Sequence, residues 1–159
     1  MADEEISLRE TEYLIAVFEC SKKKGYARQF EIRAELKVAK PTASLMMKKL
    51  AKKGYIKLVR NKIFLAEKGE KLVREIIWKH GVIEQALVNL GLSSEKACAI
   101  TWKIAQTIPL DDVKCIWENL GMPDRCPCGY ELPRIDGASD LRNYEVCLTF
   151  KKISGRRSP

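Results

Sequence analysis

The chain has 159 residues, 46% of them hydrophobic and 31% charged, which is enough to build a folded core and ordinary for a water-soluble protein. No apolar run approaches the roughly 20 residues of a membrane-spanning helix, and the acidic start Met1-Ala2-Asp3-Glu4-Glu5 lacks the apolar stretch of a secretory signal, so a cytoplasmic protein is expected. The net charge of +8 is concentrated: Cys20 to Lys62 holds fourteen cations against Glu31 and Glu35, +12 in all, leaving −4 elsewhere. A basic block in an acidic remainder is the footprint of a polyanionic partner.

In chain order, Ser7-Leu8-Arg9-Glu10 reads as a capping box that starts a first helix, with Leu14, Val17 and Phe18 on its apolar stripe and Gly25 beyond its end. A short second helix is predicted over Gln29 to Leu36, burying Phe30, Ile32 and Leu36. The turn Lys37-Val38-Ala39-Lys40 follows. Pro41 opens a third helix, through Leu45, Met46 and Leu50 to Gly54, because the first turn needs no amide from it. Alternation in Tyr55–Val59 and Ile63–Leu65 predicts two strands around the basic tip Arg60-Asn61-Lys62. Two short helices and a basic hairpin are the grammar of a winged helix-turn-helix.

A long fourth helix begins near Glu67 with Leu72, Ile76, Ile83, Leu87 and Leu90 as its stripe, a kink expected at Gly81, and Gly91 as its stop. Ser93 or Ser94 caps a fifth helix holding Ala97, Ile100 and Ile104. Asp111-Asp112 starts a sixth, with Val113, Ile116 and Leu120 inside. The chain then turns Pro- and Gly-rich around Cys126-Pro127-Cys128-Gly129. Tyr144, Val146, Leu148 and Phe150 alternate like one strand, and Ser154–Pro159 reads as disordered. The expected class is mainly α: residues 1–70 a DNA-binding domain, 71–133 a helical dimerisation and sensing domain, 134–159 an extension. One His, no nucleophile–base constellation and no phosphate-cradling glycine loop argue against an enzyme.

In a winged helix-turn-helix the third helix enters the major groove of double-stranded DNA by its N-terminal residues, here Lys40, Pro41, Thr42, Ser44 and Leu45. Thr42 and Ser44 can exchange hydrogen bonds with base edges, and Pro41 and Leu45 can meet a thymine methyl. Arg28, Lys48, Lys49, Arg60 and Lys62 suit phosphates, which fix register without reading sequence. The lack of Asn, Gln or Arg on the leading face shifts specificity toward half-site spacing and DNA shape.

Several segments, in order, resemble one family: Lys24-Gly25-Tyr26-Ala27-Arg28, Glu31-Ile32, Leu36, Val38, Pro41-Thr42-Ala43-Ser44, and Lys79-His80-Gly81-Val82-Ile83-Glu84-Gln85-Ala86-Leu87. The chain from residue 7 to about 133 is similar to the iron- and manganese-dependent repressors of the DtxR/MntR type. The resemblance implies a homodimer joined through the helices from about Leu72 to Leu120, and a repressor that binds a palindromic operator when its effector is bound. The SH3-like domain of longer members has no room here.

The family draws metal ligands from the first helix, the helix after the wing, and a Cys/Glu-x-x-Glu-His motif on the next. The resemblance places Glu10, His80 and Glu84 at ligand positions, and Cys98 at the first place of the motif. Thr101 and Trp102 stand where its Glu and His belong, so a divalent iron or manganese site of the usual kind is not expected. Glu10 has a plain alternative in the capping box, and His80–Glu84 in an i,i+4 ion pair. Cysteine spacing offers a replacement: Cys98, Cys115, Cys126 and Cys128 could hold zinc or an iron–sulfur cluster, with the cluster preferred. Cys20 and Cys147 read as structural. A regulator controlled by that cofactor is the main reading; a constitutive DNA-binding protein with structural zinc and a thiol redox switch are the alternatives.

Overall fold

A computed structural model describes residues 5–147; the expectations for Met1–Glu4, for Leu148 and Phe150, and for Ser154–Pro159 lie outside them. Backbone contacts divide the chain into two compact units, with the boundary inside a helix between Val73 and Arg74.

The first unit holds α1 (Leu8–Ser21), α2 (Gln29–Leu36), α3 (Lys40–Lys52), β1 (Ile56–Val59), β2 (Lys62–Leu65) and the start of α4 (Glu67–Asn89). The capping box forms: the Glu10 amide donates to Ser7 Oγ at 3.1 Å and the Ser7 amide donates to Glu10 Oε2 at 2.7 Å. At Arg28 only half of this pattern opens α2: its amide donates to Glu31 Oε2 at 2.7 Å, while the Glu31 amide donates to the Arg28 backbone carbonyl at 3.0 Å. The strands pair antiparallel with Val59 opposite Lys62, so the turn is Arg60-Asn61, with Arg60 in the left-handed region at φ 57°. Ala27 joins the hairpin edge: its amide donates to the Ile63 carbonyl and the Ile63 amide donates to the Ala27 carbonyl, both at 2.8 Å. This tie sets the entry to α2 beside the wing.

Ile32 and Leu36 are buried as expected, but Phe30 is 63% exposed. On α3 the inward positions are Ala43, Met47 and Leu50, a 4-then-3 spacing, and Leu45 stands 71% exposed. The hydrophobic residues of such short helices outnumber the positions that face the core.

The second unit contains the rest of α4, then α5 (Ser94–Ile104), a 3-10 turn at Ala105–Thr107, α6 (Leu110–Asn119) and an irregular chain to Cys147. Its core gathers Trp78, Val82, Ile83, Ala105, Val113, Cys126 and Leu132, with Trp117 edge-on to Trp78 at 5.8 Å. The helix α4 is continuous through Gly81, where a kink was expected. That residue is a close approach instead: a Cβ there would collide with the Leu132 side chain. The α5 stripe is also shifted from expectation. Ala97, Cys98, Thr101, Trp102 and Ala105 face inward, while Ile100, Ile104 and, on the α4 side, Leu90 lie exposed.

Residues 134–147 pack within the second unit. The Arg74 guanidinium donates to the Arg134 carbonyl (3.2 Å) and to both Oγ and the carbonyl of Ser139 (3.0 and 2.8 Å), and Leu141 and Val146 are buried. Tyr144 to Cys147 forms no paired strand among the described residues.

Candidate nucleic-acid interface and metal pocket

Between α3 and the hairpin the first unit has an open concavity of about 480 Å³. Its lining includes the cations Arg28, Arg33, Lys40, Lys48, Arg60 and Lys62, and no acidic residue. Lys40, Pro41, Thr42, Leu45, Lys48 and Lys49 are exposed along α3 and Ser44 is half-buried, so the expected reading face is open to a partner. Tyr26, which the sequence did not single out, organises this surface. Its ring packs on Phe64 at 6.0 Å, and the charges of Lys24, Arg28 and Lys62 lie 5.0, 5.7 and 4.6 Å from its centre. A hydrogen bond from Arg28 lowers the Tyr26 phenol pKa. A tyrosine between basic residues was the available signal. Phe30, expected in the core, lines the concavity instead.

Glu10 is engaged inside its own unit. Its Oε1 lies 2.9 Å from Lys53 Nζ and 3.4 Å from Lys49 Nζ, while Oε2 accepts from the Ser7 amide. Burial by itself would raise the carboxyl pKa, but the Ser7 amide and the Lys53 ammonium hold it down to about 2.

In the second unit, His80 and Glu84 on α4 face Cys98 on α5 and Cys147 at the end of the described chain. The His80 ring, 3% exposed, puts Nε2 at 3.0 Å from Glu84 Oε2 and 3.4 Å from Cys98 Sγ. Cys98 Sγ is 3.2 Å from Cys147 Sγ. One donor atom from each of these four residues lies within 4.8 Å of all the others. Glu84 Oε1 accepts from Cys128 Sγ at 2.9 Å, and Glu84, Cys126 and Cys128 form a second group of the same kind. Gly129, at φ 93°, closes the turn that presents this pair, its amide donating to the Cys126 carbonyl at 2.9 Å. A hydrogen bond with Cys147 and burial push the Cys126 thiol far above the usual range, and burial with Glu84 does the same to Cys128. Burial opposes charge on His80, but Cys147 and Glu84 outweigh it and raise its pKa. His80, Cys126 and Cys128 therefore hold their protons more tightly than usual, and a metal ion bound to them would have to displace those protons.

Two expectations change. Cys115 is exposed on α6 and belongs to neither donor group among the described residues, because the inward face of that helix is carried by Val113 and by the partly buried Ile116 and Leu120. Cys147, read as structural, takes its place. No spacing rule joins a cysteine to others across an irregular segment; only the folded chain brings Cys147 to Cys98. Trp102 also has a defined part, stacked on His80, and Thr101 donates to the Ala97 carbonyl at 2.6 Å.

A winged helix-turn-helix, followed by a helical unit that buries converging His, Glu and Cys donors, defines a two-part class of winged-helix protein. The chain belongs to the iron-dependent repressor family. Residues 6–62 match its description "N-terminal DNA binding domain" and residues 66–134 its "metal binding and dimerisation domain". An HTH-type transcriptional regulator of Aeropyrum pernix is 29% identical over 118 residues, 72% of this chain and 66% of that one. The transcriptional regulator MntR of Salmonella typhimurium is 40% identical over 74 residues, 46% of this chain and 47% of its own length. The matched stretch thus spans about half of the MntR sequence and under two thirds of the Aeropyrum one. A crystal structure of a hypothetical protein from Sulfolobus solfataricus superposes with a TM-score of 0.75 at 28% identity, covering 81% of this chain and all of that one. Among the described residues no helix is long and apolar enough to cross a membrane.

Proposed function

We propose that the protein is a homodimeric transcriptional repressor whose affinity for a palindromic operator is set by a cysteine-ligated metal ion or cluster in its second unit. The observation that carries the DNA half is the acid-free concavity between α3 and the wing. Its cations supply phosphate contacts, and Thr42, Ser44 and Leu45 are the residues proposed to meet base edges. The exposed Ile100 and Ile104 on α5, with Leu90 at 83% exposure, support dimerisation through a second copy of this unit.

The donor set decides which cofactors suit the pocket. Thiols beside one imidazole and one carboxylate fit soft or borderline ions or a cluster, and fit manganese poorly. His80, Glu84, Cys98, Cys126, Cys128 and Cys147 are the residues proposed to hold it. Fixing α4, α5 and the following chain together would set the spacing of the two recognition helices, changing affinity through geometry. Selection of bound duplexes from a random pool, with and without chelator, tests this reading. A two-fold symmetric site enriched only in the metal-loaded sample is expected; enrichment of no sequence, or enrichment indifferent to chelation, overturns it. The 3.2 Å Cys98–Cys147 separation also favours a second reading, a thiol redox switch. In that case peroxide would take two electrons and two protons from the pair and leave a Cys98–Cys147 disulfide.

A further inference from the structure

The geometry points to a single thiophilic divalent ion of the zinc class, held by His80, Glu84, Cys98 and Cys147, with Cys147 acting as a latch from the C-terminal segment. Four donors converge: His80 Nε2, Glu84 Oε2 and the sulfurs of Cys98 and Cys147, all from buried residues. These atoms face one another directly, His80 Nε2 at 3.0 Å from Glu84 Oε2 and 3.4 Å from Cys98 Sγ, and Cys98 Sγ at 3.2 Å from Cys147 Sγ. A cation at their centre would be held by a carboxylate oxygen, an imidazole nitrogen and two sulfurs at once. The spacing also suits one ion. Tetrahedral zinc with its usual bond lengths sets its ligand atoms about 3.3–3.8 Å apart. Of the six edges, the three closest, 3.0 Å (N–O), 3.4 Å (S–N) and 3.2 Å (S–S), need to open by about 0.2 to 0.6 Å, and the others are no longer than 4.8 Å.

An iron–sulfur cluster needs more room, since its irons and sulfides must sit between the cysteine sulfurs. The four donors stand 3.0–3.4 Å apart along their closest edges, which leaves space for one ion among them, and the adjoining cavity bordered by His80, Cys126 and Cys147 adds only about 10 Å³. This reverses the cofactor preference reached from cysteine spacing alone. The pair Cys126–Cys128 then serves the ligands: Cys128 donates to the other oxygen of Glu84, orienting the carboxylate.

The latch follows from where Cys147 lies. It is beyond both family matches, the second of which ends at residue 134, on a segment anchored by Arg74 to Ser139 and by buried Leu141 and Val146. An ion bonded to Cys147 as well as to α4 and α5 would tie that segment down. The biological meaning of the latch rests on the repressor reading; the ion site itself does not.

The test uses the full chain, reduced and anaerobic, stripped by chelation and titrated with Co(II) as a spectroscopic probe. One equivalent is expected, with intense tetrahedral ligand-field bands and thiolate-to-cobalt charge transfer, all displaced by zinc. Cys147→Ser should weaken cobalt binding by more than about tenfold, Cys147→His should restore much of the affinity with less charge transfer, and Cys115→Ser should match the parent. In the parent chain, zinc should slow amide exchange across residues 141–147, a readout that needs no variant to fold. Iron with sulfide in the anaerobically purified protein, weak octahedral bands, an unaltered Cys147→Ser titration, or exchange at 141–147 indifferent to zinc would each overturn the proposal. Operator binding is measured separately: zinc bound as described with DNA affinity unchanged overturns the repressor coupling and leaves the site standing.

Discussion

Trp102 lies flat on His80, with ring centroids 3.9 Å apart and planes 19° from parallel. The aromatic face keeps water from one side of the imidazole and limits its rotation, so a residue that cannot bind a divalent ion positions one that can. Trp102→Ala should cost about 3–5 kcal/mol of stability, the usual range for truncating a buried large aromatic. Trp102→Phe should cost less and keep the stacking. Urea unfolding followed by circular dichroism gives the stability. Cobalt titration should show the alanine variant binding more weakly than the phenylalanine one, and equal affinities would remove the positioning role.

The concavity predicts a division of labour on DNA. Lys48→Ala and Arg60→Ala should weaken binding to all duplexes alike, each lowering the slope of log K against log salt by about 1. Leu45→Ala should leave that slope alone and narrow the preference for the selected site over scrambled DNA. Fluorescence anisotropy at four or five salt concentrations separates the two behaviours.

Glu10 gives the first unit an acid dependence. Its carboxyl sits at about 2 when folded against an ordinary 4.5, so the charged form favours the folded state. That contribution is fully present above the ordinary value and is lost as pH falls from about 4.5 toward about 2. Glu31, also lowered, adds in the same direction, with Lys24 and the Arg28 amide outweighing its burial. Glu10→Gln should flatten the fall in urea midpoint between pH 5 and pH 2, and Glu10→Gln with Glu31→Gln should flatten it further. Unchanged acid curves in both variants would show that neither carboxyl carries the effect.

Two glycines differ in what stands against them. A Cβ at Gly69 would strike the Tyr55 carbonyl, which is backbone, whereas one at Gly81 would strike the end of the Leu132 side chain. Leu132 can rotate and Tyr55 cannot. Gly81→Ala should therefore cost about 1–3 kcal/mol, in the range of core overpacking, and Gly69→Ala more. Thermal unfolding of the two variants ranks them.

The sequence made the helices and the hairpin legible because their signals are local: a capping box at Ser7, a proline inside the first turn of α3, two alternating runs around Arg60-Asn61. It misplaced Phe30, Ile100 and Ile104 because hydrophobicity marks what can be buried, not which face meets a core. It marked Gly81 as a kink, when the helix needed a residue without a side chain there. For the pocket, His80, Glu84 and Cys98 were legible from the family resemblance, and Cys126 and Cys128 from their turn. Cys147 was not legible, since its 49-residue separation from Cys98 through an irregular chain leaves no periodicity to follow. Cys115 misled for the opposite reason, being near in sequence and turned outward in space.

That outward turn has a practical consequence. Cys98, Cys126 and Cys147 are buried and Cys20 and Cys128 half-buried, so Cys115 is the one exposed thiol of the six. Thiol reagents will meet it first, and a maleimide dye used in limiting amount becomes a label on α6 that leaves the donor pocket untouched. The same accessibility lets two copies link covalently through Cys115 in air, so a dimer band on a non-reducing gel is no measure of native assembly unless the serine variant gives the same sedimentation.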